Sequence, residues 1–195
     1  MPLGAIENPA NTLKDSEVWM KRIIPLSLFL LLSAAPMMAQ MPQPTAQREA
    51  MKKLDYMAGQ WKGSGWTEQG GKRETFNGGE TVQSKLNGLA LLVEGKFTTQ
   101  IGGREVVAHE TLAVLSYDER SKTYRFRTYL ANGITGDQEA RLIDGGWQWG
   151  FQFSGGSIRY TIKVKELDQW FEIGEMSQDG TNWRKFFEMT LQRVK

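Results

Sequence analysis

From Trp61 onward apolar and polar residues alternate in short runs, the two-residue period of strands that bury one face. In "SIRYTIKVKE", Ile158, Tyr160, Ile162 and Val164 fall on one face, and Arg159, Thr161, Lys163 and Lys165 on the other. In "WQWGFQF", Trp147, Trp149, Phe151 and Phe153 oppose Gln148, Gly150 and Gln152. Turn chemistry punctuates these runs at "EQGGK", "LNGL", "QIGGR", "DERSK", "ANGIT", "IDGGW", "FSGGS", "KELDQ" and "SQDGTN". Glycine, Asn-Gly and Asp-Gly suit the positive φ of hairpin corners. Nine corners predict ten strands. With no helical pattern between them, they predict an all-β protein, an antiparallel up-and-down barrel of about ten strands, because closing the sheet removes its exposed edges. Gly78-Gly79 suits a bulge or sharp bend that curves the sheet. Ahead of the strands, Ala46, Ala50, Leu54 and Met57 recur at spacings of three and four, with Met51 beside them. That spacing predicts a short amphipathic helix placed to plug one barrel end.

The pattern changes upstream. In "MKRIIPLSLFLLLSAAPMMAQ", Lys21 and Arg22 precede an apolar run, Ile23 to Leu32, and small residues follow, the arrangement of a secretory signal peptide at 20–39. The run is short of the roughly 20 apolar residues of a spanning helix, so membrane contact is expected only through this segment if it stays uncleaved. Residues 1–19 lack apolar periodicity and read as an upstream mis-start of translation or a disordered extension. Residues 40–50 read as linker and helix start, and 51–195 as the barrel domain. A periplasmic or secreted location follows. Cysteine is absent, which excludes disulfides, thiolate metal sites and cysteine nucleophiles. The net charge of +2, with bases and acids interleaved, gives no footprint for nucleic acid.

The Gly59-x-Trp61 opening of the first strand, the preceding helix, the ten strands and Arg193 in "FEMTLQRVK" together resemble the calycin group: lipocalins, fatty-acid-binding proteins and nitrobindin-like barrels. The resemblance covers roughly Met51 to Lys195 and is nearest to bacterial nitrobindin-related barrels of unknown function. It implies structural roles for Gly59, Trp61 and Arg193, with the tryptophan packed under the arginine at the closed end. It also marks a departure. Nitrobindins carry their iron-ligating histidine seven residues before that arginine, and Phe186 stands there instead. Phenylalanine cannot ligate iron, and no cofactor or metal is expected.

His109 is the sole histidine. Neighbours on a strand point to opposite faces, so His109 and Glu110 cannot form a dyad. No Gly-x-Ser-x-Gly elbow or dinucleotide fingerprint is present. The chain is therefore expected not to be an enzyme. Aromatic residues, among them Trp147, Trp149 and Phe186, concentrate in the last strands, either as core filling or as cavity walls. Arg125, Arg127 and Tyr129 share one face of "YRFRTYL". Facing inward they would hold an acidic head group, as the likeness to fatty-acid carriers implies; facing outward they are surface charge. The expected function is an exported, non-catalytic barrel binding a small hydrophobic molecule or lipid, with Arg125, Arg127, Tyr129, Trp147, Trp149, Phe186 and His109 as candidate contacts. The alternatives are a haem or nitric-oxide-handling barrel using His109, and a filled barrel acting as a structural or protein-interaction module.

Overall fold

The computed structural model of the chain describes residues 44–165 and 168–195. The expected signal peptide and the extension before it lie outside the described residues. Helix α1 (Thr45–Lys52) leads through a 3₁₀ turn (Asp55–Met57) into ten strands. They are β1 (Gly59–Gln69), β2 (Lys72–Lys85), β3 (Ala90–Ile101), β4 (Arg104–Asp118), β5 (Thr123–Leu130), β6 (Thr135–Ile143), β7 (Gly146–Phe153), β8 (Gly156–Lys165), β9 (Gln169–Ser177) and β10 (Arg184–Arg193). Each strand pairs antiparallel with the next, and β10 closes on β1 from Trp61↔Arg193 to Thr67↔Phe187. The expected ten-stranded meander barrel with a short N-terminal helix is the observed fold.

Tight corners set the register. Gln69 pairs with Lys72 across Gly70 and Gly71, both at positive φ (57° and 78°), where a side chain with a Cβ is penalised. No bulge occurs at Gly78-Gly79, where pairing with β1 and β3 runs uninterrupted. The glycine serves a close approach instead: a Cβ on Gly78 would collide with the Lys96 carbonyl and lie 2.7 Å from Phe97 Cα. The register shifts fall elsewhere. One lies between Lys185 and Phe187 in β10, the other opposite Phe97 and Thr98 in β4, leaving Phe186 and Ala108 as the extra residues. Both lie at the barrel end away from α1.

At the other end α1 and the 3₁₀ turn bury Met51, Leu54 and Met57 against Trp61, Leu91, Leu115 and Leu191. Trp61 Nε1 donates to Met57 O (2.9 Å), and Tyr124 Oη donates to Ala50 O (2.8 Å), so the plug is tied at two points. The Arg193 guanidinium lies 4.1 Å from the Trp61 ring centre and donates to Ala58 O and Tyr56 O, each at 2.6 Å. Gly59, at φ 143°, makes room for it: a Cβ there would collide with Arg193 Nη1. Gly59, Trp61 and Arg193 thus form one unit at the closed end.

Candidate functional site: the barrel cavity

The odd residues of β1 and the even residues of β2, β5 and β9 face inward, as do the odd residues of β7. Above the plug these faces enclose a cavity of about 710 Å³, so the barrel is not filled. Its base lies next to the edge-on pair Trp61–Trp170, whose ring centres are 5.7 Å apart.

The wall is aromatic. Trp149 stacks on Tyr160 at 4.5 Å and 15°, Phe76 stacks on Phe187 at 5.6 Å, and Phe126 meets Trp147 and Trp149 at 5.2 and 5.0 Å. Phe186 meets Tyr160 edge-on at 5.9 Å. The bulge in β10 explains why consecutive phenylalanines, Phe186 and Phe187, both line the cavity: the extra residue breaks the alternation. The bulge in β4 likewise brings both Ala108 and His109 to the lining.

Trp147, Trp149, Phe186 and His109 come together around this cavity. His109 sits exposed at the rim, its Nε2 2.6 Å from Thr111 Oγ1, and partial burial lowers its pKa below the ordinary imidazole value. Glu110 points the other way and pairs with Lys96 at 3.2 Å. Arg125, Arg127 and Tyr129 are not in the cavity, which corrects the reading of them as an acidic-head-group site. They lie on the outer face of β5, where Arg125 and Arg127 pair with Asp137 at 2.8 and 3.3 Å and Tyr129 is half exposed. The alternation can bury only one set. Burying Tyr124, Phe126 and Thr128 avoids desolvating two guanidinium groups.

Two acidic residues in the cavity went unnoticed in the sequence: Glu80 on β2 and Glu172 on β9. Each stands in the apolar frame of its strand, Phe76-Gly78-Glu80-Val82 and Trp170-Glu172-Gly174-Met176, and a lone acid in such a frame is the signal that could have found them. Glu172 accepts a hydrogen bond from Trp170 Nε1 (3.1 Å). Glu80 Oε2 is buried with no hydrogen-bond partner among the described residues. Burial pushes the Glu80 carboxyl up to about 8, with the nearby Glu172 carboxylate adding to the rise, and pushes Glu172 up to about 7 against the Trp170 hydrogen bond. Both acids are part-accessible: the cavity reaches them, and Glu80 also borders a second depression beside Gly79, Gly95 and Lys96. No lysine or arginine is among the described residues that line the cavity.

No protein-family model matches the sequence, and no curated protein matches it. Solved structures do. Rv2717c from M. tuberculosis is similar with a TM-score of 0.56 at 12% identity, over 75% of this chain and 98% of that one. The S-type phycobiliprotein lyase CPES from Guillardia theta is similar with a TM-score of 0.51 at 12% identity, over 75% of this chain and 93% of that one. These likenesses, with the closed ten-strand barrel, show a calycin-like fold. The second overturns the expectation that the chain is not an enzyme. A barrel of this fold bears the name of a lyase, so neither the fold nor the lack of a nucleophile elbow excludes catalysis.

Proposed function

We propose that the barrel holds a small hydrophobic or amphipathic molecule inside its cavity, reached through the mouth opposite α1. The observation that carries this reading is the aromatic-walled space of about 710 Å³, a size and composition usual for sites that enclose a small organic ligand. The shared fold of a phycobiliprotein lyase supports a cavity that keeps a molecule in place, for carriage or for chemistry upon it. A haem reading is less supported, because Phe186 lines the cavity where the nitrobindin likeness calls for an imidazole, and His109 is engaged with Thr111 at the rim.

Titration with Nile red, a neutral apolar dye, tests the proposal. Saturable dye binding that quenches emission from Trp147 and Trp149 is expected. Thr128→Trp, filling the cavity from the inner face of β5, is expected to abolish it while the circular dichroism of the barrel persists. Ala108→Trp, at the exposed rim, provides an obstruction outside the core should the first variant fail to fold. Unchanged dye affinity in a folded, obstructed barrel would overturn the proposal.

A further inference from the structure

Glu80 and Glu172 form a part of the cavity that apolar binding leaves unexplained. Glu80 pairs across the ladder with Trp61, and Glu172 is two residues along β9 from Trp170, so both acids stand beside the Trp61–Trp170 pair at the base. The fold makes room for them. The other ladder neighbour of Glu80 is Gly95, where a Cβ would lie 2.6 and 2.7 Å from the two carboxyl oxygens. Without that side chain, the carboxyl lies flat on β3.

The protein does not complete the polar contacts of these groups. Among the described residues Glu80 Oε2 has no donor, and Glu172 receives one indole N–H. The remaining titratable groups on the lining are His109 at the rim and Tyr160, whose hydroxyl burial keeps neutral. Neither is bonded to either acid. A buried carboxyl left without a partner is costly, and an acid in an otherwise apolar frame persists most readily where something from outside completes it.

Resting on the cavity reading above, we propose that the Glu80–Glu172 pair docks the basic nitrogen of an amphiphile whose apolar body lies along the aromatic wall. An ammonium or amidinium group supplies both the charge and several N–H donors, and two carboxyls with free lone pairs accept them. The aromatic faces above add attraction for a cation. A fatty acid would bring a third carboxyl to the same place, with no lysine or arginine among the described lining residues to meet it.

Decylamine, decanol and decanoate, competing with Nile red on the full chain, separate the head group from the tail. The amine is expected to displace dye at least about tenfold better than the carboxylate, the scale of one charge-assisted contact. In Glu80→Gln and Glu172→Gln the amine should lose its advantage and fall to the affinity of the alcohol measured in the same variant. In the unmodified protein, amine affinity should rise between about pH 5.5 and pH 8.5 as the pair ionises while decanol affinity stays flat, a result independent of whether either variant folds. Decanoate binding as well as the amine, with dye and alcohol bound, would overturn the docking proposal and leave the cavity reading standing. Failure of the dye and all three amphiphiles would overturn both.

Discussion

The two ends of the barrel differ in how far their buried polar groups are satisfied. At the closed end Arg193, Trp61 and Tyr124 all donate to backbone carbonyls of the plug, and large side chains are almost fully enclosed. Among the described residues, Glu80 Oε2, Gln138 Oε1 and Trp147 Nε1 are buried without partners in the cavity half, against Gln47 Oε1 alone in the plug, and two cavity carboxyls are forced toward neutrality. Satisfied polar groups lock one arrangement, whereas unsatisfied ones beside empty space mark a place prepared for something else. The closed end therefore anchors the fold, and the cavity half carries the proposed binding.

If the closed end is the structural anchor, Trp61→Ala should destabilise the protein by about 3–5 kcal/mol in urea unfolding, as the loss of a large enclosed aromatic does. Arg193→Ala should cost less, about 2 kcal/mol, from two charge-assisted hydrogen bonds and the ring contact. The double variant should be less destabilised than the sum, because contacting residues couple. Strict additivity would mean that the stack contributes nothing as a unit.

The cavity half should show its character in pH dependence. Both acids have native pKa values raised above the ordinary 4.5, so their contribution to the stability of the ligand-free barrel is fully present below that value. As pH rises through 4.5 the unfolded chain ionises first, and stability falls until the native groups ionise near 7 and 8. Glu80→Gln should flatten much of this decline and raise the melting temperature at alkaline pH by several degrees, at roughly 2–4 °C per kcal/mol for a chain of this size. A melting temperature that climbs from pH 5 to about 8 in the unmodified protein would contradict the buried-acid assignment.

The smallest effects belong to the outer wall. Arg125→Ala and Arg127→Ala remove partly exposed ion pairs with Asp137 and should change stability by no more than about 1 kcal/mol, leaving Nile red affinity untouched. A large loss of dye binding would return these arginines to the site.

Local chemistry was the legible part. Corners such as Gly70-Gly71 and the alternation of "SIRYTIKVKE" depend on neighbours in sequence, and from them the strand count, the barrel and the plugging helix could be read. The inner face of β5 was harder, since "YRFRTYL" alternates equally well in either phase; Asp137 and Glu139, paired with the outer arginines from β6, resolve it only once the strands are in register. The bulges at Ala108 and Phe186 carry no glycine or proline to announce them. Glu80 and Glu172 were visible as acids in apolar frames. Their meeting was not, because it depends on register carried across β1 and β10.

The pairing of β1 with β10 differs from the rest in time as well as in place. Nine of the ladders join consecutive strands and can form as local hairpins, each soon after its own residues are available. The seam must bring together segments such as Ala58 and Arg193, 135 positions apart, and its loop-closure entropy is met only when the sheet has already curled. Until then β1 and β10 are two free edges, open to pairing with other chains. Arg193, reaching across to Tyr56 and Ala58, therefore acts as a latch on a late step of folding, and its loss should lengthen the interval in which the half-curled sheet can aggregate.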